Sequence, residues 1–595
     1  MKKRNYIGLA CSYHDPAICI VNSRGEVVFA EAAERYLQDK RAMNCAPDHP
    51  TRIASLLEEY IEPGAELVLA KSWSAKYARR CRRVSWRLGW RQWFRDWLRK
   101  DDSDIPRPLD LFRSVAESMG NSVNHAGWNL RSQLVRDYIY GKAHHKQRAR
   151  SGVSLADLGR VHEVAFDHHL THAAAGSFSS GFSQASVAII DASGEGRATA
   201  FYRYDQGRLT EIEGSRSPGT NIGFFYDMLC HVCGFDTVKG EQWKVMGLAA
   251  YGKRDEEMYT FFRSLLRIDG LRISHGRDRE QWLPQTLALA KERDRADVAH
   301  TGQLVVEEWV IELLNNLYEQ CPNERLVLGG GCALNSSCNG KILEHTPFQE
   351  MHVFCAPADD GNAVGAALLA YYQDHPGAPV AERRMLPYLG SRLSSKSLSR
   401  LEKFGRGLPL VRGSESQLCR HAAQLLADGK IIGWAQGRAE FGPRALGNRS
   451  ILADPRRPEI KDELNSRVKF REEFRPFAPA VLHEFGPDYF ENYQESPYME
   501  RTLRFRPEVV DQVPGVVHAD GTGRLQTVKE EWNKRFYWLL REFHDLTGVP
   551  ILLNTSFNVM GKPIIHSVED AVAVFMTAGL DALVLEDMIL EKHPE

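Results

Sequence analysis

The chain has 595 residues, with 76 Lys and Arg against 77 Asp and Glu, a formal net charge of −1 with histidines neutral. That length exceeds what one hydrophobic core ordinarily serves, so two or three domains are expected. The charge balance excludes a whole-molecule field that steers a protein onto nucleic acid or an anionic membrane, and any basic site must be local.

The apolar run at residues 6–10 stops at Cys11 and carries no signal core or cleavage pattern. No later run approaches the ~20 apolar residues that span a bilayer. The eleven cysteines are odd in number and scattered, which fits reduced thiols and a cytoplasmic protein. Cys230-x-x-Cys233 has no second pair beside it and reads as core rather than as a zinc or redox site.

Residues 6–35 predict a β-meander of strand, polar loop, strand, glycine turn and strand, and residues 186–213 repeat it. A repeated meander with an acid in its first turn is how each half of the actin-like, sugar-kinase-like ATPase fold begins, with ATP in the cleft between halves. In the first turn, His14-Asp15 places an imidazole whose ordinary pKa lies near working pH, a candidate general base. Between the two meanders, Trp86, Trp90, Trp93 and Trp97 share a spacing with Arg83, Arg87, Arg91, Arg95 and Arg99 that predicts a basic amphipathic helix within an insertion at about 73–150. Its tryptophans are read as packing on the N-terminal domain; a role at an acceptor entrance or against an acidic carrier stays open.

The string HHLTHA at 168–173 offers His168 and His172 at i and i+4, on one face of a helix and able to share a metal ion. Asp191, ending the next strand, and Asp359, beside a later glycine turn, add hard oxygen donors, and such a set suits Fe(II), Mn(II) or Zn(II). In GEQWKVMGLAAYG at 240–252, Lys244 is positioned to neutralise a phosphate and Glu241 to bind ribose hydroxyls. Residues 326–335 and 352–367 each run from a strand through glycines into a helix, geometry that turns backbone N–H groups toward nucleotide oxygens.

Residues 381–400 read as a linker between a domain over 1–380 and a second over 401–595. The second is dominated by GRAEFGPRALGNRS at 437–450 and KFREEFRP at 469–476. Arg438, Arg444, Arg449, Lys469, Arg471 and Arg475 sit among glycines and apolar residues, where unpaired charge is costly and an anion is wanted. Guanidinium forks favour a compact phosphorylated substrate. The bland alternative is internal pairing with Glu440, Glu472 and Glu473. Asn554, ending an apolar strand, adds amide donors suited to a carbonyl or phosphate oxygen.

With HHLTHA, GEQWKVMGLAAYG, GGGCALNSSCNGKI, DDGNAVGAA, GRAEFGPRALGNRSILADP, VKFREEFRPFAPAVL, GTGRLQTV and GVPILLNTSFNVMGKPI in one order, the chain resembles the NodU/CmcH/TobZ carbamoyltransferase family along nearly its whole length. The resemblance implies an α/β and α+β architecture, with the duplicated actin-like domain followed by a YrdC-like domain. It implies that carbamoyl phosphate is cleaved in the YrdC-like domain and the carbamate joined to ATP, which carries Mg. The carbamoyl-adenylate then moves to the metal-bearing domain for transfer to a hydroxyl or amine of a small natural-product acceptor. Carried over by motif, His168, His172, Asp191 and Asp359 hold a metal, iron in this family. ATP meets Glu241, Lys244, Gly330, Gly331 and Asn335, and His14 with Asp15 deprotonates the acceptor. Lys40 holds the adenylate phosphate, although Tyr36-Leu-Gln-Asp39 intervenes where the family continues with basic residues. Carbamoyl phosphate meets Arg444, Arg449, Lys469, Arg471, Arg475, Arg524 and Asn554.

A tRNA-modifying enzyme built from the same modules is the rival reading, and the balanced charge argues against nucleic acid as partner. A non-catalytic nucleotide-binding regulator is the other, which needs neither the arginines nor the metal set. Assembly as a homodimer and O- against N-carbamoylation stay open at this level.

Overall fold

A computed structural model describes residues 3–12, 14–43, 45–79, 161–213, 221–405 and 409–592. The expected Trp- and Arg-rich helix at 83–99 lies outside the described residues. Three large mixed sheets and the helices between them organise the rest.

Both predicted meanders are present, and each heads a sheet of the same design. The first sheet joins β1 (Arg4–Ala10), β2 (Ala17–Val21), β3 (Val27–Ala32), β4 (Glu66–Lys71) and β5 (Val161–Ala165) in the order β3-β2-β1-β4-β5. The second joins β6 (Gln184–Gly194), β7 (Arg197–Asp205), β8 (Arg208–Glu211), β11 (Arg325–Gly329) and β12 (Glu350–Val353) in the order β12-β11-β6-β7-β8. In each, the meander is antiparallel and the two later strands add in parallel on its first strand. A two-stranded ribbon, β9 (Leu266–Asp269) and β10 (Arg272–His275), stands apart from both.

The central strands are buried on both faces, as in Val187–Ile190 and Leu326–Leu328, because helices cover parallel strands on either side. The helices His168–Ser179 and Asn362–Asp374 lie side by side in that core. Alanine and glycine make the approach close enough that a Cβ on Gly365 would stand 1.9 Å from the Thr171 carbonyl oxygen. That contact holds the residues before Asn362 beside the first turn of the other helix.

The third sheet has nine strands: β13 (Leu410–Arg412), β14 (Ile432–Ala435), β15 (Arg449–Ala453), β16 (Ala478–Leu482), β17 (Arg501–Arg504), β18 (Thr522–Val528), β19 (Ile551–Ser556), β20 (Ala582–Leu585) and β21 (Met588–Glu591). Their order is β13-β21-β20-β14-β15-β19-β16-β18-β17. Trp434, Phe536, Leu552 and Leu583 are fully buried in its own core. Residues 387–392 run between the lobes, with the Leu389 carbonyl accepting from Ala30 N at 3.0 Å and Gly390 N donating to the Ala439 carbonyl at 2.9 Å. Helix Ser336–His345 packs on β17, where Asn339 donates to the Glu500 carbonyl at 2.9 Å. Among the described residues, no helix is long and apolar enough to cross a membrane.

Candidate functional site

His168 and His172 leave the same face of helix His168–Ser179, whose start is capped by Asp167 accepting from Leu170 N at 3.1 Å. Strand β6 brings Asp191, and the 3-10 turn Asp359–Gly361 after β12 brings Asp359. One ligand atom from each of the four residues lies within 4.8 Å of all the others. His168 Nε2 stands 3.3 Å from Asp191 Oδ2 and 3.5 Å from Asp359 Oδ1; His172 Nε2 is also 3.5 Å from Asp359 Oδ1. The two Nε2 atoms are themselves 3.2 Å apart. Behind the cluster the Trp73 ring lies 4.2 Å from the His168 ring, and Asp191 Oδ1 accepts from Gly331 N at 3.1 Å.

Burial opposes a charge on His168, yet Asp359 and Asp191 raise its pKa to about 8. The same contacts hold Asp191 far below the usual carboxylate range against its own burial. Two imidazole nitrogens and two carboxylate oxygens pointed at one another are a donor set that a divalent first-row ion fits, since a shared cation satisfies all four at once. The chemistry is nitrogen and oxygen only, without a thiolate.

His14 and Asp15 sit at the first meander's turn, where Asp15 adopts φ 56. His14 Nδ1 is 2.8 Å from Asp15 Oδ2, and Arg41 Nη2 is 3.3 Å from the same oxygen. Burial would raise the Asp15 pKa, but Arg41 and His14 hold it at about 2. Lys40 has its Nζ 5.9 Å from the Trp243 ring, and burial lowers its pKa. Asp360, unforeseen in the sequence, is a buried carboxyl that desolvation and the nearby Asp15 and Glu34 push up to about 8. Its place directly after Asp359 was the available signal.

Gly330 takes φ 87, and a Cβ there would stand 2.4 Å from the Ile190 carbonyl oxygen, so only glycine lets β11 turn beside β6. Gly331 follows it at the edge of the cavity described below. Asn335 caps helix Ser336–His345 and exchanges two 3.0 Å hydrogen bonds with Gln303. Glu241 accepts from Asp236 N at 2.9 Å and pairs with Lys244 at 2.8 Å. Lys244 Nζ also reaches Glu472 of the far lobe at 2.5 Å, so its charge is already answered twice.

In the third sheet's domain, Arg444, Arg471, Arg475 and Arg524 converge with few acids to meet them. Arg444 has no acid beside it among the described residues, and burial alone lowers its pKa to about 10. Burial with Arg475 nearby takes Arg471 to about 9; burial with Arg444, Arg471 and Arg475 takes Arg524 well down. Arg471 Nη2, Arg475 Nε and Arg524 Nε are buried without a partner. Arg475 lies 4.0 Å over the Trp243 ring of the opposite lobe and 3.3 Å from Glu472, the carboxylate that also takes Lys244. Lys469 is strongly depressed by burial and donates to the carbonyls of Ser556 and Asn558.

Internal pairing therefore accounts for little of the positive charge. Glu440 takes the amides of Leu446, Asn448 and Arg449, and Glu473 forms no ion pair with these arginines. Two expectations need correction. Arg449 is fully buried and does not line the cavity described below; its guanidinium donates to the carbonyls of Gln436, Asn448, Ser391 and Gly437, so it stitches backbone, with its Nε left buried and unpartnered. Asn554 spends its amide N–H groups on Ala445 and Gln526 and presents an acceptor, where donors were expected.

One cavity of about 1460 Å³ runs from Asp191, Asp359 and His14, past Lys40, Glu241, Gly331 and Asn335, to Arg444, Arg471, Arg475, Arg524 and Asn554. It exceeds the ~300–1,000 Å³ of an ordinary single-ligand pocket. Trp243, missed in the sequence, stands at the waist between Lys40 and Arg475; it lies inside the glycine-bounded string that named Glu241 and Lys244.

Family models described as Carbamoyltransferase N-terminus and Carbamoyltransferase C-terminus match residues 5–368 and 423–592. Nodulation protein NolO of Bradyrhizobium diazoefficiens is 36% identical over 72% of this chain and 79% of its own. An uncharacterized protein of Methanocaldococcus jannaschii is 33% identical over 78% of this chain and 80% of its own, and nodulation protein U of Rhizobium tropici is 41% identical over 40% and 39%. Among solved structures, full-length HypF in the phosphate- and nucleotide-bound form aligns at TM-score 0.32 and 12% identity over 63% of this chain and 56% of that one, too little to assign a fold. With both halves matched by these models, the chain belongs to the carbamoyltransferase family and is a carbamoyltransferase.

Proposed function

We propose that the enzyme is ATP-dependent and works in two stages at the two ends of its cavity. The single observation that carries this reading is the continuous space between a cluster of uncompensated guanidinium groups and a His/Asp cluster. In the first stage Arg444, Arg471, Arg475 and Arg524, with Lys469 and Asn554, bind carbamoyl phosphate. Water displaces phosphate to leave carbamate, and a carbamate oxygen attacks the α-phosphorus of ATP, releasing pyrophosphate and forming carbamoyl-adenylate. The arginines stabilise charge that grows on the phosphoryl oxygens without having to reorganise.

In the second stage an acceptor hydroxyl or amine attacks the carbamoyl carbon and AMP leaves. His14 takes the acceptor proton at Nε2, because its Nδ1 is engaged with Asp15. Asp15, held as a carboxylate, orients that ring. Lys40 and the Gly331 backbone face the nucleotide phosphates and ribose, with Glu241, Gly330 and Asn335 shaping that wall. Mg accompanies ATP. His168, His172, Asp191 and Asp359 would hold Fe(II), or Mn(II) or Zn(II), which supplies Lewis acidity toward the carbonyl oxygen. Strand orders repeated in the two N-terminal sheets support an actin-like pair of lobes, and the nine-stranded mixed sheet is read as the YrdC-like part. The domains follow as 1–380 and 401–595, with a small natural-product acceptor entering at the His14 end.

Carbamoyl phosphate and ATP without acceptor should give pyrophosphate and carbamoyl-adenylate by mass spectrometry. Arg444→Ala should abolish that product, and His14→Ala should keep it while stopping transfer. Undiminished adenylate in Arg444→Ala would refute the assignment of the cradle.

A further inference from the structure

The cradle holds one group of the opposite character to its arginines. Gln526, on β18, donates Nε2 to the Leu446 carbonyl at 2.9 Å, which leaves its Oε1 as an acceptor. Asn554, on β19, donates Nδ2 to that Oε1 at 2.8 Å and to the Ala445 carbonyl at 3.2 Å. A backbone carbonyl can only accept, so turning either amide over would set oxygen against oxygen. The polarity of both side chains is therefore fixed by the 445–446 backbone.

What remains is Asn554 Oδ1. It has no partner, its residue is 1% exposed, and the side chain lines the cavity with Arg444, Ala445 and Arg524. A buried acceptor left unfilled is costly. No hydrogen bond joins it to Arg444 or Arg524, so a ligand that brings an N–H donor would fill it. Carbamoyl phosphate carries an N–H group at its carbamoyl end, whereas acetyl phosphate has the same phosphoryl group and nearly the same shape with a methyl there.

We propose that Asn554 Oδ1, held in this polarity by Gln526, accepts a hydrogen bond from the NH2 of carbamoyl phosphate and selects it against acyl phosphates of equal size. Gln526 acts as a positioning residue, since it works through Asn554. The inference rests on the reading of the arginine cluster as the carbamoyl phosphate site. A site built to pair a polar group rejects the analogue lacking it far more strongly than one that measures shape alone.

The test is calorimetric titration of the full chain with carbamoyl phosphate, acetyl phosphate and inorganic phosphate. The unaltered protein should prefer carbamoyl phosphate to acetyl phosphate by about tenfold or more. In Gln526→Leu, Asn554 is free to turn its NH2 inward. That ratio should then fall toward one, while the affinity for inorganic phosphate stays within about twofold. A merely structural loss would weaken all three ligands together and overturn the proposal. If Gln526→Leu does not fold, Asn554→Ala removes the acceptor directly, and the same collapse of the ratio is expected. Equal binding of carbamoyl and acetyl phosphate by the unaltered protein sinks this inference and leaves the site reading intact; failure to bind carbamoyl phosphate at all sinks that reading first.

Discussion

The two ends of the cavity handle buried charge in opposite ways. At the His/Asp end, two carboxylates and two imidazoles face each other within 4.8 Å, so each charge has an answer inside the cluster. At the arginine end, Glu472 pairs with Arg475 and is also claimed by Lys244, while Arg444 and Arg524 have no carboxylate partner among the described residues. The first arrangement contributes to folding on its own and improves with a cation; the second opposes folding until an anion arrives. Removing one charge should therefore destabilise one end and stabilise the other.

Arg524 gives the largest effect, because its Nε is buried without a partner and three like charges stand beside it. Arg524→Met should cut carbamoyl-adenylate formation by about 10²–10³-fold, the usual loss for a preorganised charge donor. The ligand-free protein should at the same time melt several degrees higher, in line with the ~1–4 kcal/mol seen when buried charge gives way to apolar volume. Adding inorganic phosphate should raise the melting temperature of the unaltered protein much more than that of the variant. A variant that melts lower than the parent would break the contrast, since it would mean that Arg524 is already paid for by its surroundings.

His172→Ala is the mirror experiment. It removes an imidazole from between Asp191 and Asp359, so two buried carboxylates repel with less to separate them. The expected loss is about 3 kcal/mol, together with bound metal measured by elemental analysis of the purified protein. Carbamoyl transfer should fall by at least ~10²-fold while pyrophosphate release without acceptor persists. Retention of a full metal complement would show that these four residues are not its ligands.

How legible this was in the sequence follows from where each signal lives. The meanders were readable because alternation and a glycine turn are local, and the metal-type set because HxxxH fixes a face while strand ends place the acids. Arg449 was misjudged because it lies in the same string as Arg444, and nothing in a string says which of two arginines turns inward onto carbonyls. Asn554 was given the wrong polarity because an amide's direction is decided by Gln526 and two carbonyls distant in sequence. Lys244 lines the cavity, but its pairing with Glu472 from 228 residues away was not legible in the string that holds it. Long-range pairing of charge, unlike periodicity, leaves no mark on its neighbours.

A third cluster sharpens the comparison, because it is compensated like the His/Asp end yet lies outside the cavity lining. Glu31 of β3 accepts from Ser391 Oγ, stands 3.2 Å from His566 Nε2 and 3.4 Å from Arg52 Nε, and so ties both lobes to the segment between them. Burial would raise its pKa, but His566, Arg52 and Ser391 bring it down from 4.5 to about 2. A carboxyl depressed on folding adds stability that is complete above its unfolded value and is lost as pH falls from about 4.5 through about 2. Glu31→Gln keeps the shape and deletes the charge. At pH 7 the cost should be roughly 2 kcal/mol, and between pH 5 and 3 the variant's melting temperature should fall less steeply than the parent's. Neither metal content nor the phosphate-induced rise in melting temperature should change, since no ligand competes for this carboxylate. Parallel acid curves for variant and parent would show that Glu31 is not the group whose protonation loosens the lobes.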